Sequence, residues 1–158
     1  MEGGGSGAGR VLRGAAVGFA CATAFTSAVA VREDLPGRPF GVGVPLSVAT
    51  GIVVGWGAAV AAPWPMPLAA VVVTSRRRGG PETNRAALVC AALGVAGIIG
   101  LAIEPNTYHP RGWTPAAGVG LVVHALASGA LAGAGIRSWR RRRPASGTVQ
   151  VGGRPSSR

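Results

Sequence analysis

Residues 39–75 read PFGVGVPLSVATGIVVGWGAAVAAPWPMPLAAVVVTS, 37 positions without a charged side chain, and Arg76, Arg77 and Arg78 follow at once. A soluble domain has no need of so long an uncharged run. A bilayer core about 30 Å thick does, because each helical crossing takes roughly 20 consecutive apolar residues. Three more runs lie between charged residues: Gly14–Val31 (18 residues), Ala86–Ile103 (18) and Gly112–Ile136 (25). The pattern predicts an all-α four-transmembrane-helix bundle, with helices at 11–31, 45–74, 86–103 and 114–136. Residues 1–10 are expected as a Gly-rich disordered tail, 11–136 as the membrane domain and 137–158 as an Arg-rich disordered tail. No run alternates strictly, which argues against a β-barrel. The runs are rich in Gly, but lipid enforces helix because an unpaired backbone group costs several kcal/mol there.

Composition agrees. Of the 158 residues 13% are charged, about half the usual share in soluble domains. All 16 basic residues are Arg, which with abundant Gly, Ala, Pro and Val fits a GC-rich bacterial genome. The net charge of +11 does not imply nucleic-acid binding, because the arginines fall where topology places them. With the N-terminus inside, the inner segments carry 13 Arg against Glu2 and Glu82. The outer loops balance Arg32, Arg38 and Arg111 against Glu33, Asp34 and Glu104. Both termini are therefore expected in the cytoplasm of a multi-pass inner-membrane protein.

Small residues recur at helical spacing: Gly14, Gly18, Ala22, Thr26 and Ala30; Gly51 and Gly55; Ala92, Ala96 and Gly100; Gly129 and Gly133. Such rows let helices approach closely, so Gly14, Gly18, Gly51, Gly55, Gly129 and Gly133 are candidate helix-packing positions. One face of the last helix is expected to pack within the chain and another to pair protomers or a partner helix. Arg10 and Arg13 ahead of an apolar run ending Ala28-Val29-Ala30 also fit a secretory signal cleaved after Ala30. Pro63-Trp64-Pro65-Met66-Pro67 must break or kink the second helix. Two placements compete: at the cytoplasmic interface, the working expectation, with Trp64 in the aromatic belt and 68–74 at the boundary, or inside the bilayer. Broken helices line sites in transporters, although a kink that merely helps packing is the plainer reading. Thr83 or Asn84 is expected to cap the third helix. Trp113 and Trp139, 26 residues apart, bracket one crossing of about 39 Å. Arg76, Arg77, Arg78, Arg140, Arg141, Arg142 and Arg143 are expected to contact anionic lipid headgroups.

His124 is an ionisable side chain in mid-span, on one stripe with Gly120 and Ser128. An intramembrane ionisable group suggests function, but a neutral His satisfied by a backbone carbonyl or by a hydroxyl such as Thr23, Thr26, Ser47 or Thr50 is the plainer expectation. His124, Glu104 and Ser128 are the candidate polar residues, with Glu104 expected to pair with His109 or Arg111. Cys21 and Cys90 lie in different helices without a CxxC. Nucleophile, phosphate-loop and metal-ligand motifs are absent, so no catalytic residue, metal or cofactor is expected.

The turn Glu104-Pro105-Asn106-Thr107-Tyr108 after the third of four helices resembles small uncharacterised bacterial four-helix integral membrane proteins. That resemblance implies architecture only. Small multidrug transporters are similar in size and helix count, but they carry a Glu in the first helix, and Gly14–Val31 holds none. The leading expectation is a non-catalytic accessory component that packs with other membrane helices. The alternative is a small transporter or channel subunit with His124 and Glu104 on its polar path.

Overall fold

Three of the four uncharged runs form continuous helices, and the longest does not. The computed structural model describes residues 4–75, 81–108 and 113–141. Among them are α1 (Gly4–Arg32), a 3-10 turn (Pro39–Gly41), α2 (Val48–Val54), α3 (Pro65–Ser75), α4 (Pro81–Ala102), α5 (Pro105–Tyr108) and α6 (Pro115–Arg140). No strand occurs among the described residues, only isolated bridges of Ala58 with Pro36 and Ala61. α1, α4 and α6 each contain a stretch long and apolar enough to span a membrane. α3, with 11 residues, reaches only about 16 Å.

Helix ends depart from expectation. α1 starts at Gly4, so residues 4–10 continue a helix already nucleated downstream, each adding one bond at little cost. α4 starts at Pro81, a residue suited to a first turn, which leaves Thr83 and Asn84 inside the helix and not as its cap. α6 runs on to Arg140; its first turn is capped by Thr114, whose Oγ1 accepts the Ala117 N–H at 3.3 Å. The expected tail beyond residue 141 and Arg76, Arg77 and Arg78 lie outside the described residues.

α4 and α6 form the most extensive pair, followed by α1 with α6 and α1 with α3. α6 buries Ala117, Gly120, His124, Ser128, Leu131, Gly135 and Ser138, an alternating three- and four-residue spacing that keeps one seam facing inward. Small residues set the closeness of this pair. A Cβ on Gly94 would lie 2.4 Å from the Ala132 nitrogen, and one on Gly135 2.5 Å from the Ala91 nitrogen. The expected row Ala92, Ala96 and Gly100 is exposed and unpacked instead; the packed row is Ala87, Cys90, Gly94 and Gly97. Gly14, Gly18, Gly129 and Gly133 have no atom within 4 Å of a built Cβ, so they take no part in packing within the chain.

The core cluster joins Leu12, Ala16 and Phe19 of α1 with Ala62, Ala70, Ala87, Cys90 and Leu131. A chain cut after Ala30 would lose three of these residues. A second cluster, at the opposite end of α1, joins Ala30 with Val48, Ile52 and Val60, flanked by Trp64 and Trp113. Trp139 borders the first cluster, so Trp113, just ahead of α6, and Trp139, near its end, stand at opposite ends of the bundle, both half-buried. Outside, Val17, Phe25, Leu68, Val95, Ile99, Val122 and Leu126 are exposed, while Thr23, Thr26, Glu104, His124, Ser128 and Ser138 are buried. A polar seam inside and an apolar surface outside suit hydrocarbon as the surrounding solvent.

The second uncharged run forms two short helices, α2 and α3, with irregular chain between them, and α3 packs on α1 and α4. α2 starts at Ser47, whose hydroxyl caps the Thr50 N–H, and stops at Gly55, which takes a left-handed φ of 105°. The Trp56 and Gly57 N–H groups both turn back onto the Gly51 carbonyl, and Gly57 repeats the positive φ at 81°. Gly51 and Gly55 therefore end a helix instead of pairing two helices. Residues 55–64 then run non-helically, with Ala59, Val60, Ala61 and Ala62 all buried. Pro65 and Pro67 occupy the first turn of α3, where their missing donors cost least. The interruption thus precedes the proline cluster. It also lies inside the bundle and not at its end, because α3 packs Ala70 among the core residues.

Candidate functional site

The broken run walls a cavity of about 280 Å³. Gly55 to Ala59 and Ala61 to Pro63 line one side, Ala96, Gly97, Gly100 and Leu101 of α4 another, and His124 and Glu104 contribute the ionisable groups. The i, i+4 stripe of α6 carries His124 inward. Glu104 follows the last turn of α4, where Ile103 and Glu104 are fastened to the loop after α1. The Arg38 N–H donates to Glu104 Oε2 at 2.7 Å, and the Phe40 N–H donates to the Ile103 carbonyl at 3.0 Å. The same loop holds the broken run: Trp56 Nε1 donates to the Gly37 carbonyl at 3.1 Å and the Ala59 N–H to the Leu35 carbonyl.

Each ionisable group has a buried polar atom without a partner. Glu104 is 4% exposed and His124 2%, yet Glu104 Oε1 and His124 Nδ1 have no hydrogen-bond partner among the described residues. The hydroxyls expected to satisfy His124 are engaged elsewhere. Thr23 Oγ1 donates to the Phe19 carbonyl, Thr26 Oγ1 to the Thr23 carbonyl, and Ser47 pairs with Thr50. The neighbour of His124 is the Phe19 ring, tilted 50° with centroids 5.8 Å apart. Ser128 Oγ is likewise unpartnered and crowds Gly97, where a Cβ would lie 2.5 Å from it. The backbone adds acceptors: no described residue donates to the carbonyls of Val60 and Ala62. Unpaired buried groups are costly, and two of them, on Glu104 and His124, line this one cavity.

Of the predicted polar residues, His124 and Glu104 meet at this cavity, and Ser128 sits one turn further along α6. The expected partners of Glu104, His109 and Arg111, lie outside the described residues; within them the carboxyl group is held by a backbone N–H. Pro63 and Met66 of the predicted break also line it, whereas Gly97 and residues 55–62 were missed as lining. Gly97 was legible in the spacing Ala87, Cys90, Gly94, Gly97, whereas the wall ahead of the prolines had no local signal. Cys21 is exposed and Cys90 buried in a different helix. No group of three His, Cys, Asp or Glu able to hold a metal ion occurs among the described residues.

No protein family, curated protein or solved structure matches this chain.

Proposed function

We propose that this chain is a non-catalytic, multi-pass protein of a bacterial inner membrane, and that it serves as a small transporter or channel subunit with Glu104 and His124 on its path. The carrying observation is that these two buried groups, each with an unpartnered atom, line one cavity beside an interrupted helix. Irregular backbone at membrane depth is tolerated where it lines a cavity, and freed carbonyls there coordinate ions or solutes. The cavity presents acceptors: a carboxyl oxygen, an imidazole nitrogen and backbone carbonyls. Its ligand is accordingly a small cation or a proton-donating solute.

Four crossings with both termini in the cytoplasm fit the way the ends group. Arg10, Arg13, Arg85, Arg137 and Arg140 belong to one end of the bundle, whereas Arg32, Glu33, Asp34 and Glu104 belong to the other, as positive-inside placement requires. The interrupted run enters at the second end and leaves at the first, completing an even number of crossings. The cavity then opens toward the outer leaflet.

Proteoliposomes carrying the purified chain should show pH-dependent flux, read with an entrapped pH dye under sodium and potassium gradients. His124→Leu and Glu104→Gln should each remove it while circular dichroism shows the helices retained. Unchanged flux in both folded variants would leave the site without a role. A second reading, of a helix-docking accessory protein, is favoured by the open faces at Gly14, Gly18, Gly129 and Gly133. For it, G129I/G133I should abolish crosslinking to a second copy or a partner helix.

A further inference from the structure

At the arginine-rich end a second cavity, of about 290 Å³, lies between the start of α1 and the end of α6. Gly7, Ala8 and Val11 face Ala134, Arg137, Ser138 and Arg141 across it. Four features converge. Arg137 and Arg141 stand one helical turn apart on the same face. Both are exposed, and no described acidic group pairs with either. α1 is a 29-residue helix with no acidic residue in its first turn, and Gly7 and Ala8 bring the positive end of its dipole to the cavity. Ser138 lines the same cavity. It is 3% exposed, and its Oγ has no hydrogen-bond partner. A buried hydroxyl without a partner, beside two guanidinium groups and a helix N-terminus, points to a ligand that accepts several hydrogen bonds at once.

We infer that this cavity binds a phosphate group, through Arg137, Arg141 and Ser138 Oγ, with the start of α1 beside it. Arginine pairs match phosphate oxygens with parallel N–H donors, and the hydroxyl supplies a further donor. The phosphate comes either from the headgroup of an anionic phospholipid or from a soluble phosphate, and the chemistry of recognition is the same. This site is separate from the cavity of Glu104 and His124, at the other end of the bundle, and does not depend on its role.

The test uses the full chain in mild detergent, with retained lipid read by native mass spectrometry after incubation with phosphatidylglycerol or phosphatidylcholine. Selective retention of phosphatidylglycerol is expected, reduced about thirtyfold in R137Q/R141Q, in keeping with about 1 kcal/mol per arginine. R13Q/R85Q removes the same charge at the same end of the bundle, outside the cavity lining, and should retain the lipid. Ser138→Ala should weaken retention by a smaller factor without lowering the melting temperature. In a parallel arm, inorganic phosphate is titrated against the protein in phosphatidylcholine nanodiscs. A rise in melting temperature abolished by R137Q/R141Q assigns the site to soluble phosphate, and retention of phosphatidylglycerol alone assigns it to the headgroup. Equal loss of lipid in the two double variants, or no response to either probe, overturns the inference.

Discussion

The α4–α6 pair and the run at 39–75 are built from much the same residues, Gly, Ala and Val without charge, and they fold in opposite ways. In α4 and α6 glycine removes bulk from continuous helices. Gly94, Gly97 and Gly135 let two backbones meet where any Cβ would collide. In the second run glycine changes the path of the chain: Gly55 and Gly57 take positive φ values, and the helix ends. The first use yields a rigid seam with His124 and Ser128 on it. The second opens that seam into a cavity. Composition alone therefore does not say whether a Gly-rich apolar segment spans or breaks; the backbone conformation of a few glycines decides it.

Substitutions at the two kinds of glycine sharpen the contrast. The largest effect is expected at the crossing. Gly94→Ala places a Cβ within 2.9 Å of three backbone atoms of α6. It should cost about 2–3 kcal/mol, the upper part of the usual range for overpacking, read by unfolding in detergent. Gly133→Ala, on the open face, should change stability little or raise it slightly. Next comes the break. Gly57→Ala forces a left-handed conformation on a residue with a side chain, at about 1–2 kcal/mol, and its Cβ would also sit 3.1 Å from the Ala61 carbonyl. Gly18→Ala, mid-helix and unobstructed, should instead stabilise by about 0.5–1 kcal/mol. If the two variants shifted the melting temperature alike, the second run would not be interrupted at Gly57. The smallest effect on stability belongs to G129I/G133I, which should leave the isolated chain as stable as before and act only on association.

Much of this fold was legible because lipid demands it. Uncharged runs set three helices, and the i, i+4 rule placed Gly120, His124 and Ser128 on one buried stripe. The proline cluster announced an interruption but misplaced it, since Pro65 and Pro67 suit a helix start as well as they break a helix interior. The actual stop depends on positive φ at Gly55 and Gly57, which no spacing reveals. Glu104 was visible as a polar residue in a loop, but its burial was not. That burial comes from the Arg38 N–H, 66 positions away in the chain, and contacts of such separation leave no periodic trace. The packing glycines were half misread for a related reason: GxxxG marks a surface that could pair, and only the fold shows which surfaces are already taken.

The central claim is that residues 55–63 form a non-helical, solvent-reachable wall inside the membrane domain. Thiol accessibility tests it most directly. In a C21S/C90A background, single cysteines are placed at Ala61 on the cavity wall and at Val122 on the lipid-facing side of α6. Intact membranes are then treated with a small, charged, membrane-impermeant thiol reagent from the outer side. Labelling at position 61, slowed by Glu104→Gln, with none at position 122, is the expected result. Protection of both positions in a folded protein would mean a dry, continuous bundle and would contradict the claim.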